Sequence, residues 1–600
     1  MKLNKFLLSA IAAASLTACS DSTDVVDNNK GHWNADGTGY VSLSISMPDN
    51  VGSKGTRAPG DADGSHNDKF NHGDLNEYAV YDATLVIFTA DKDDAAEGDY
   101  KLAAAYKLPL TFKTNSSTHG QISSISTATA KIDAINAKKA KALVILNKPT
   151  SITLDEDAHT IKLNNGGTDE DLKDKTFKEF QKKTTEVVTD LNTTTGTGSG
   201  FTMTNAPLTT YHSAIGAITP TSNGKTTTLA DITIGNIKRT AAEAKAEPAA
   251  TIYVERSVAK VTLANTTAGT LTSDHNVHYQ IEGFALDNTN GKSYIVRNAD
   301  KTSTEWYNLK SKSSKVTPFA DQYRFVGSTE VANGLYRTYW AEDPNYSSDA
   351  NAGIITNPTA FKGIDKALYC MENTFDVANQ KAVNTTRALL KVCFWKNDAN
   401  KPKTVPTLYM YNNDVKTLNN QADFLTAAKT EVNNIPAVLA YHTGVESITL
   451  TTTENYVEVA SVKYNDGTTE NTGEIFNIIK NHFGEIAVYK DGIAYYPVLI
   501  KHFGDQLTPW NTDEYGTTQP SAGGIDQIYP NNTNRDANYL GRYGVVRNNW
   551  YELSVNKVLR PGSPVINPPS TNPDDELNSY ISVSINILSW AKRSQDVDLQ

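Results

Sequence analysis

Cys19 is the residue with the clearest chemistry. Lys2 and Lys5 precede a short apolar run, FLLSAIAAASL, which leads into Leu16-Thr17-Ala18-Cys19. The run is too short for a permanent bilayer span and has the layout of an export signal. Its last four residues resemble a bacterial lipobox, in which the Cys thiol takes a diacylglyceryl group and becomes the first residue after cleavage. A thioether-linked lipid plus N-acylation gives more than one chain, enough for stable anchoring. An ordinary secretory signal beside a chance Cys is the alternative, and the position and small-residue context favour the lipobox.

Arg57 is the second such residue. It is the first Arg of the chain and the only one before Arg239, and it stands in PDNVGSKGTRAPGDADG, a loop dense in Pro, Gly and Asp. Such a loop is open to proteases, so Arg57–Ala58 is a well-presented bond for a trypsin-like enzyme. Cys370 and Cys393 complete the thiols. In an exported chain they could form one disulfide, but each lies in an apolar strand context, LYCM and KVCF, which suits two buried thiols as well.

Other chemistry fails on spacing. The eleven His show no metal-ligand pattern and the Cys form no CxxC pair, so no metal or cofactor is expected. DADGSHNDKFNHGD has its Gly too early and no terminal Glu for a calcium loop. Asn290-Gly291-Lys292-Ser293 lacks the first Gly of a P-loop, since Leu286 stands there. Nothing argues for an enzyme. A net charge of -11 without a basic stripe argues against nucleic acid.

Two strand-like stretches resemble each other. YVSLSISM (40–47) and YISVSINI (580–587) both open on Tyr and alternate apolar with small polar residues. A strand puts alternate side chains on one face, so Val41, Leu43, Ile45 and Met47 would share a face in the first. Ile581, Val583, Ile585 and Ile587 would share one in the second. A strand able to replace the other needs this alternation, because a one-residue slip turns the apolar face to water.

The 600 residues, rich in Thr, Val, Ile and Tyr, suit two β-rich domains. The expected organisation is a signal peptide (1–18), a propeptide with the first strand (19–57), β-domains at 58–250 and 251–560, and a Pro-rich linker and terminal strand (561–600). A helix is expected from Thr168, as its cap, through Val188. Two more are expected near Asp423–Val432 and Ile475–Phe483, and Asp491-Gly492 should turn a hairpin. PGSPVINPPSTNPDDEL should be a stiff, extended linker that carries the last strand clear of the fold.

VERSVAKV, NTNGKSYIVRN, YKDGIAYYPVLIKH, YGVVRNNWYEL and SYISVSINILSWAKRSQDVDL, together with the lipobox and the isolated Arg, resemble the fimbrillins of type V pili. The likeness is greatest to the shaft subunit of the short (minor) fimbriae. It implies two transthyretin-like β-sandwich domains and export as an outer-membrane lipoprotein. It also implies removal of the lipidated segment and its first strand by an arginine-specific protease, here after Arg57. A neighbour's donor strand, here from about Tyr580, would then fill the vacated groove. Implied partners are copies of the chain, accessory fimbrial subunits, the protease and, before processing, the membrane; the implied role is adhesion and biofilm formation on the cell surface. Alternatives are a tip or anchor subunit, or a permanently anchored lipoprotein that stacks glycans on residues such as Trp306, Trp340 and Trp395.

Overall fold

In the computed structural model the described residues are, apart from short gaps, 32–46, 74–109, 126–187, 200–209, 226–298, 359–502 and 543–569. A few short stretches add to these, among them strands at 325–330, 336–338, 581–588 and 593–595. Cys19, Met47, Arg57, Ala58, Trp306 and Trp340 lie outside the described residues. The chain is mostly β, as expected.

The first sheet is built from β1 (Thr38–Ser46), β2 (Ala83–Ala90), β3 (Lys101–Lys107), β4 (Ser126–Asp133), β5 (Lys139–Leu146), β6 (Met203–Asn205) and β7 (Ala250–Arg256). Their order is β3-β2-β5-β6-β7-β1-β4. The run LVIF in β2 is continuously apolar because both faces of the sheet are covered. Leu85 and Ile87 join one core with Val144 and Leu146, while Val86 and Phe88 join another with Leu143 and Ile145. The second core is closed by Leu172 and by Phe177 and Phe180 of the four-residue helix α1 (Phe177–Phe180).

The helix expected from Thr168 is therefore much shorter. Thr168–Asp171 is a strand, antiparallel to Thr160–Asn165 across Gly166 and Gly167, both at positive φ. That Asn-Gly-Gly turn outcompetes the cap at Thr168, and Thr176 caps α1 instead, with its Oγ1 accepting from the Glu179 amide.

The second half holds β8 (Val258–Ala264), β9 (Val277–Asp287), β10 (Leu368–Met371), β11 (Arg387–Lys396), β12 (Ile493–Leu499), β13 (Trp550–Val558), β14 (Ile581–Leu588) and β15 (Arg593–Gln595). One sheet runs β10-β8-β13-β14-β15; a second contains β9-β11-β12. Val261, Leu263, Tyr551 and Leu553 from the first meet Phe284, Leu390, Val392 and Tyr496 from the second in one core, which is sandwich packing.

Several features add to or depart from expectation. β7 (Ala250–Arg256), at the start of the expected second domain, pairs with β6 and β1 of the first sheet. Asp491 and Gly492 do turn the chain at positive φ, but no hairpin results. The preceding strand, Ile486–Tyr489, pairs with Leu408–Tyr411, whereas β12 pairs with β11. The terminal strand does not project into space. β14 lies antiparallel to β13, because in a lone chain the edge of β13 is the partner within reach. Part of the linker is also docked: Ser563 bridges to Tyr495, and the Asn567 carbonyl accepts from Arg387 Nη2 at 2.6 Å.

The two other expected helices are present as α3 (Gln421–Val432) and α5 (Glu474–Phe483), numbered to follow α2 (Ala241–Ala246) and with α4 (Pro436–Tyr441) between them. Phe424, Val432, Val438, Phe476, Ile479 and Phe483 close a separate core with Val445, Val462 and Tyr464.

Candidate functional site

The structure makes β1 an interior strand. It runs parallel to β7, with Leu43 opposite Ala250 and Ile45 opposite Ile252. On its other side it runs antiparallel to β4, with Leu43 opposite Ala128 and Val41 opposite Ala130. Val41, Leu43 and Ile45 are fully buried in the core with Leu85, Ile87, Val144 and Val254. At about 1.5–3 kcal/mol per buried side chain, this face is a major part of what holds the strand.

The opposite face is tied by polar contacts. Ser42 is fully buried; its Oγ accepts from Thr129 Oγ1 at 3.0 Å and donates to the Ala128 carbonyl at 3.4 Å. The Ser42 carbonyl accepts from the Ala249 amide at 2.7 Å. Tyr40 and Lys238 exchange backbone hydrogen bonds at 2.8 and 3.0 Å. Upstream of β1, Trp33 packs into the same core, and Gly39 is required beneath it: a Cβ there would stand 2.7 Å from the indole.

The terminal strand meets β13 in register, Ile585 opposite Leu553, Ile587 opposite Tyr551 and Val583 opposite Val555. Leu553 and Tyr551 belong to the sandwich core. β14 thus lies next to one sheet edge, with the short β15 beyond it, whereas β1 is flanked by β4 along Thr38–Ile45 and by β7 along Leu43–Ser46. The two similar stretches occupy different sheets.

Cys370 and Cys393 are free and buried, so the disulfide alternative is corrected. Cys370 points into the sandwich core, while Cys393 belongs to a cluster with Trp395 and Val405. Burial pushes the Cys370 thiol up to about 12 and raises that of Cys393. Trp395 is no exposed stacking platform: it is 2% exposed, lies against His278, and donates its indole N–H to the Asp398 carbonyl.

A buried ion network between β7, β8 and the strands around them escaped the sequence reading. Lys260 Nζ lies 2.6 Å from Glu77 Oε1, which also accepts from the Tyr369 hydroxyl at 2.5 Å. Burial and the Glu77 carboxylate hold the Tyr369 phenol well above its ordinary value. Arg256 donates to the Glu77 carbonyl and to Asn548 Oδ1. Arg297 pairs with Glu255 at 3.2 Å and with Glu372 at 3.3 Å, and Glu372 also pairs with Arg547 at 3.1 Å. Glu77, Glu255 and Arg256 precede β8 in the chain, and Lys260, Arg297, Glu372 and Arg547 lie in β8 or after it. The only sequence signal was charge inside apolar strand text, as in VERSVAKV and GVVRNNW.

Among the described residues no group of His, Cys, Asp and Glu is arranged to hold a metal, and no helix is long and apolar enough to cross a membrane.

The family model described as major fimbrial subunit protein type IV, fimbrillin, C-terminal, matches residues 527–596, the stretch that contains β13, β14 and β15. No curated protein matches the chain. Among solved structures, a candidate cell adhesion protein from Parabacteroides distasonis is 12% identical, with 93% of this chain and 98% of that chain covered and a TM-score of 0.34. The tip fimbrial protein Mfa3 from Porphyromonas gingivalis, with a C-terminal truncation, is 10% identical, with coverage of 92% and 100% and a TM-score of 0.28. These TM-scores are too low to carry an argument about fold or role.

Proposed function

We propose, from the match of its C-terminal segment to the fimbrillin model, that this chain is a fimbrillin and serves as a structural subunit of a surface fimbria that polymerises by strand exchange. In this reading the lipidated precursor is anchored through Cys19, an arginine-specific protease cuts at Arg57–Ala58, and β1 leaves with the removed segment. The subunit is a shaft component rather than a tip or anchor, since it carries both a removable first strand and a terminal strand of matching pattern. It acts in adhesion rather than in catalysis.

The observation that carries the reading is the setting of β1. Its loss would leave a slot with unpaired backbone groups of β7 on one side and β4 on the other, above a core emptied of Val41, Leu43 and Ile45. An open ladder over apolar side chains is a template for strand addition. The terminal strand has the alternation such a slot needs. In the lone chain it is paired with β13 and with the short β15, whereas the slot offers the β4 and β7 ladders above an apolar core, which favours exchange once the slot is empty. The contact joins unlike surfaces head to tail, which yields an open filament.

Protein sheared from cells tests this. Polymeric material should begin at Ala58, and Arg57→Ala should leave a folded, lipid-bearing monomer. Fibres whose subunits begin at a lipidated Cys19 would refute the shaft reading and favour the anchored lipoprotein. Cys19→Ala should abolish labelling by a fatty-acid analogue and reduce surface delivery; unchanged labelling would refute the lipobox.

A further inference from the structure

Arg239 is exposed, yet it is fastened from behind by the segment that precedes and begins β1. The Arg239 carbonyl accepts from Asn34 Nδ2 at 3.2 Å, and its Nε donates to the Trp33 carbonyl at 3.1 Å. The adjacent Lys238 exchanges two backbone hydrogen bonds with Tyr40. Ile237, fully buried, lies with Trp33 against Gly39. Further on, the Ala249 amide donates to the Ser42 carbonyl. The stretch from Ile237 to Ala249, which includes the six-residue α2, is thus pinned at both ends by residues 33–42. Near Arg239 the remaining ties are the Lys238–Glu247 pair at 2.8 Å and the Thr240 cap of α2; the far end is also held within its own sheet, where the Thr233 amide donates to the Ala249 carbonyl at 2.8 Å and Asn236 donates to the Pro248 carbonyl.

We infer that Arg239–Thr240 is a second arginine-directed cleavage site, latched shut by the 33–42 segment and unlatched when that segment departs. A protease needs a locally extended, detached backbone, and the population of that open form sets the cleavage rate. With residues 1–57 gone, both backbone bonds at Lys238 and both contacts of Arg239 are lost together. Water then adds across the Arg239–Thr240 amide, leaving a carboxylate on Arg239 and a free amine on Thr240. A strand that enters the empty slot restores a backbone neighbour at Lys238. The device would eliminate subunits that have been processed but not capped. It rests on the reading of Arg57 as the processing site.

The test is a time course of the full chain with a purified arginine-specific endoprotease, with new N-termini quantified by mass spectrometry. The Ala58 terminus should appear first and the Thr240 terminus after it. In Arg57→Ala the Thr240 terminus should form on the order of a hundredfold more slowly, as expected for four hydrogen bonds that must open together. A Trp33→Ala substitution added to Arg57→Ala should speed that cut at least about tenfold by loosening the latch without any first cleavage. Equal rates at Arg239 in wild type and Arg57→Ala would overturn the inference, as would a double variant as resistant as the single one. Absence of an Ala58 terminus would defeat the processing reading instead, while the Trp33→Ala arm still decides the latch.

Discussion

Truncating Leu43 to alanine removes a fully buried side chain from a core in which it touches both flanking strands. Such a deletion costs about 2–5 kcal/mol. Calorimetry of the Leu43→Ala precursor should therefore give a clearly lowered melting temperature. Under the proposed exchange the same substitution should leave assembled fibres unchanged, because the altered strand has been discarded; a matching loss in fibres would show that β1 stays. Cys370 and Cys393 give a second prediction. Both thiols are buried and held in their protonated form, and it is the thiolate that reacts. Iodoacetamide should label neither in the native protein and both after denaturation. At this scale the sequence was partly legible. Val41, Leu43 and Ile45 could be assigned to one buried face because strand alternation has a fixed period. The pairing of Glu77 with Lys260 could not, since it joins residues far apart in the chain whose proximity is set only by tertiary packing.

At the scale of elements, the terminal strand behaves differently from its sequence expectation, and this alters a prediction. Ile585 stands opposite Leu553 in the lone chain, so Ile585→Asp should perturb the precursor slightly as well as the fibre. In the monomer a strand at a sheet edge can lift away, which limits the loss. In the slot a carboxylate would have to be desolvated at a cost of several kcal/mol. Normal export, normal cleavage at Arg57, a small shift in the precursor melt and no fibres are expected, read by melting curves and electron microscopy. Fibres of normal number and length would mean that the two strands are not exchangeable. The elements that were legible had strong local signals, as in α3, where Asn420 caps a run with Phe424, Ala428 and Val432 buried. Those misread were decided by competition beyond the local window. Gly166 and Gly167 formed a turn that removed the expected helix start, and the Asp491-Gly492 turn joined strands bound for different sheets. The direction of β1, parallel to a strand at the far end of its domain, has no local signal at all.

At the scale of the molecule, buried charges tie the first sheet to the second half of the chain. Glu255, at the end of β7, pairs with Arg297 at 3.2 Å, and both side chains are 1% exposed. Glu255→Ala would leave the buried Arg297 guanidinium without that partner, and removing one member of a buried pair costs about 3–5 kcal/mol. Differential scanning calorimetry should show a lower melting temperature and a single transition resolving into two; an unchanged single transition would mean that the junction is held by something else. The setting of β1 between two ladders, one along Thr38–Ile45 and one along Leu43–Ser46, has a consequence for force. A strand held at a free edge peels, opening its hydrogen bonds one after another from the end. A strand threaded between neighbours and pulled along its own axis is sheared, so both ladders bear the load at once and must fail together. If a donor occupies that slot in a fibre, tension along the fibre meets this stronger geometry at every joint. Single-molecule pulling on linked subunits should then show the joints outlasting the β13–β14 pairing of a lone chain.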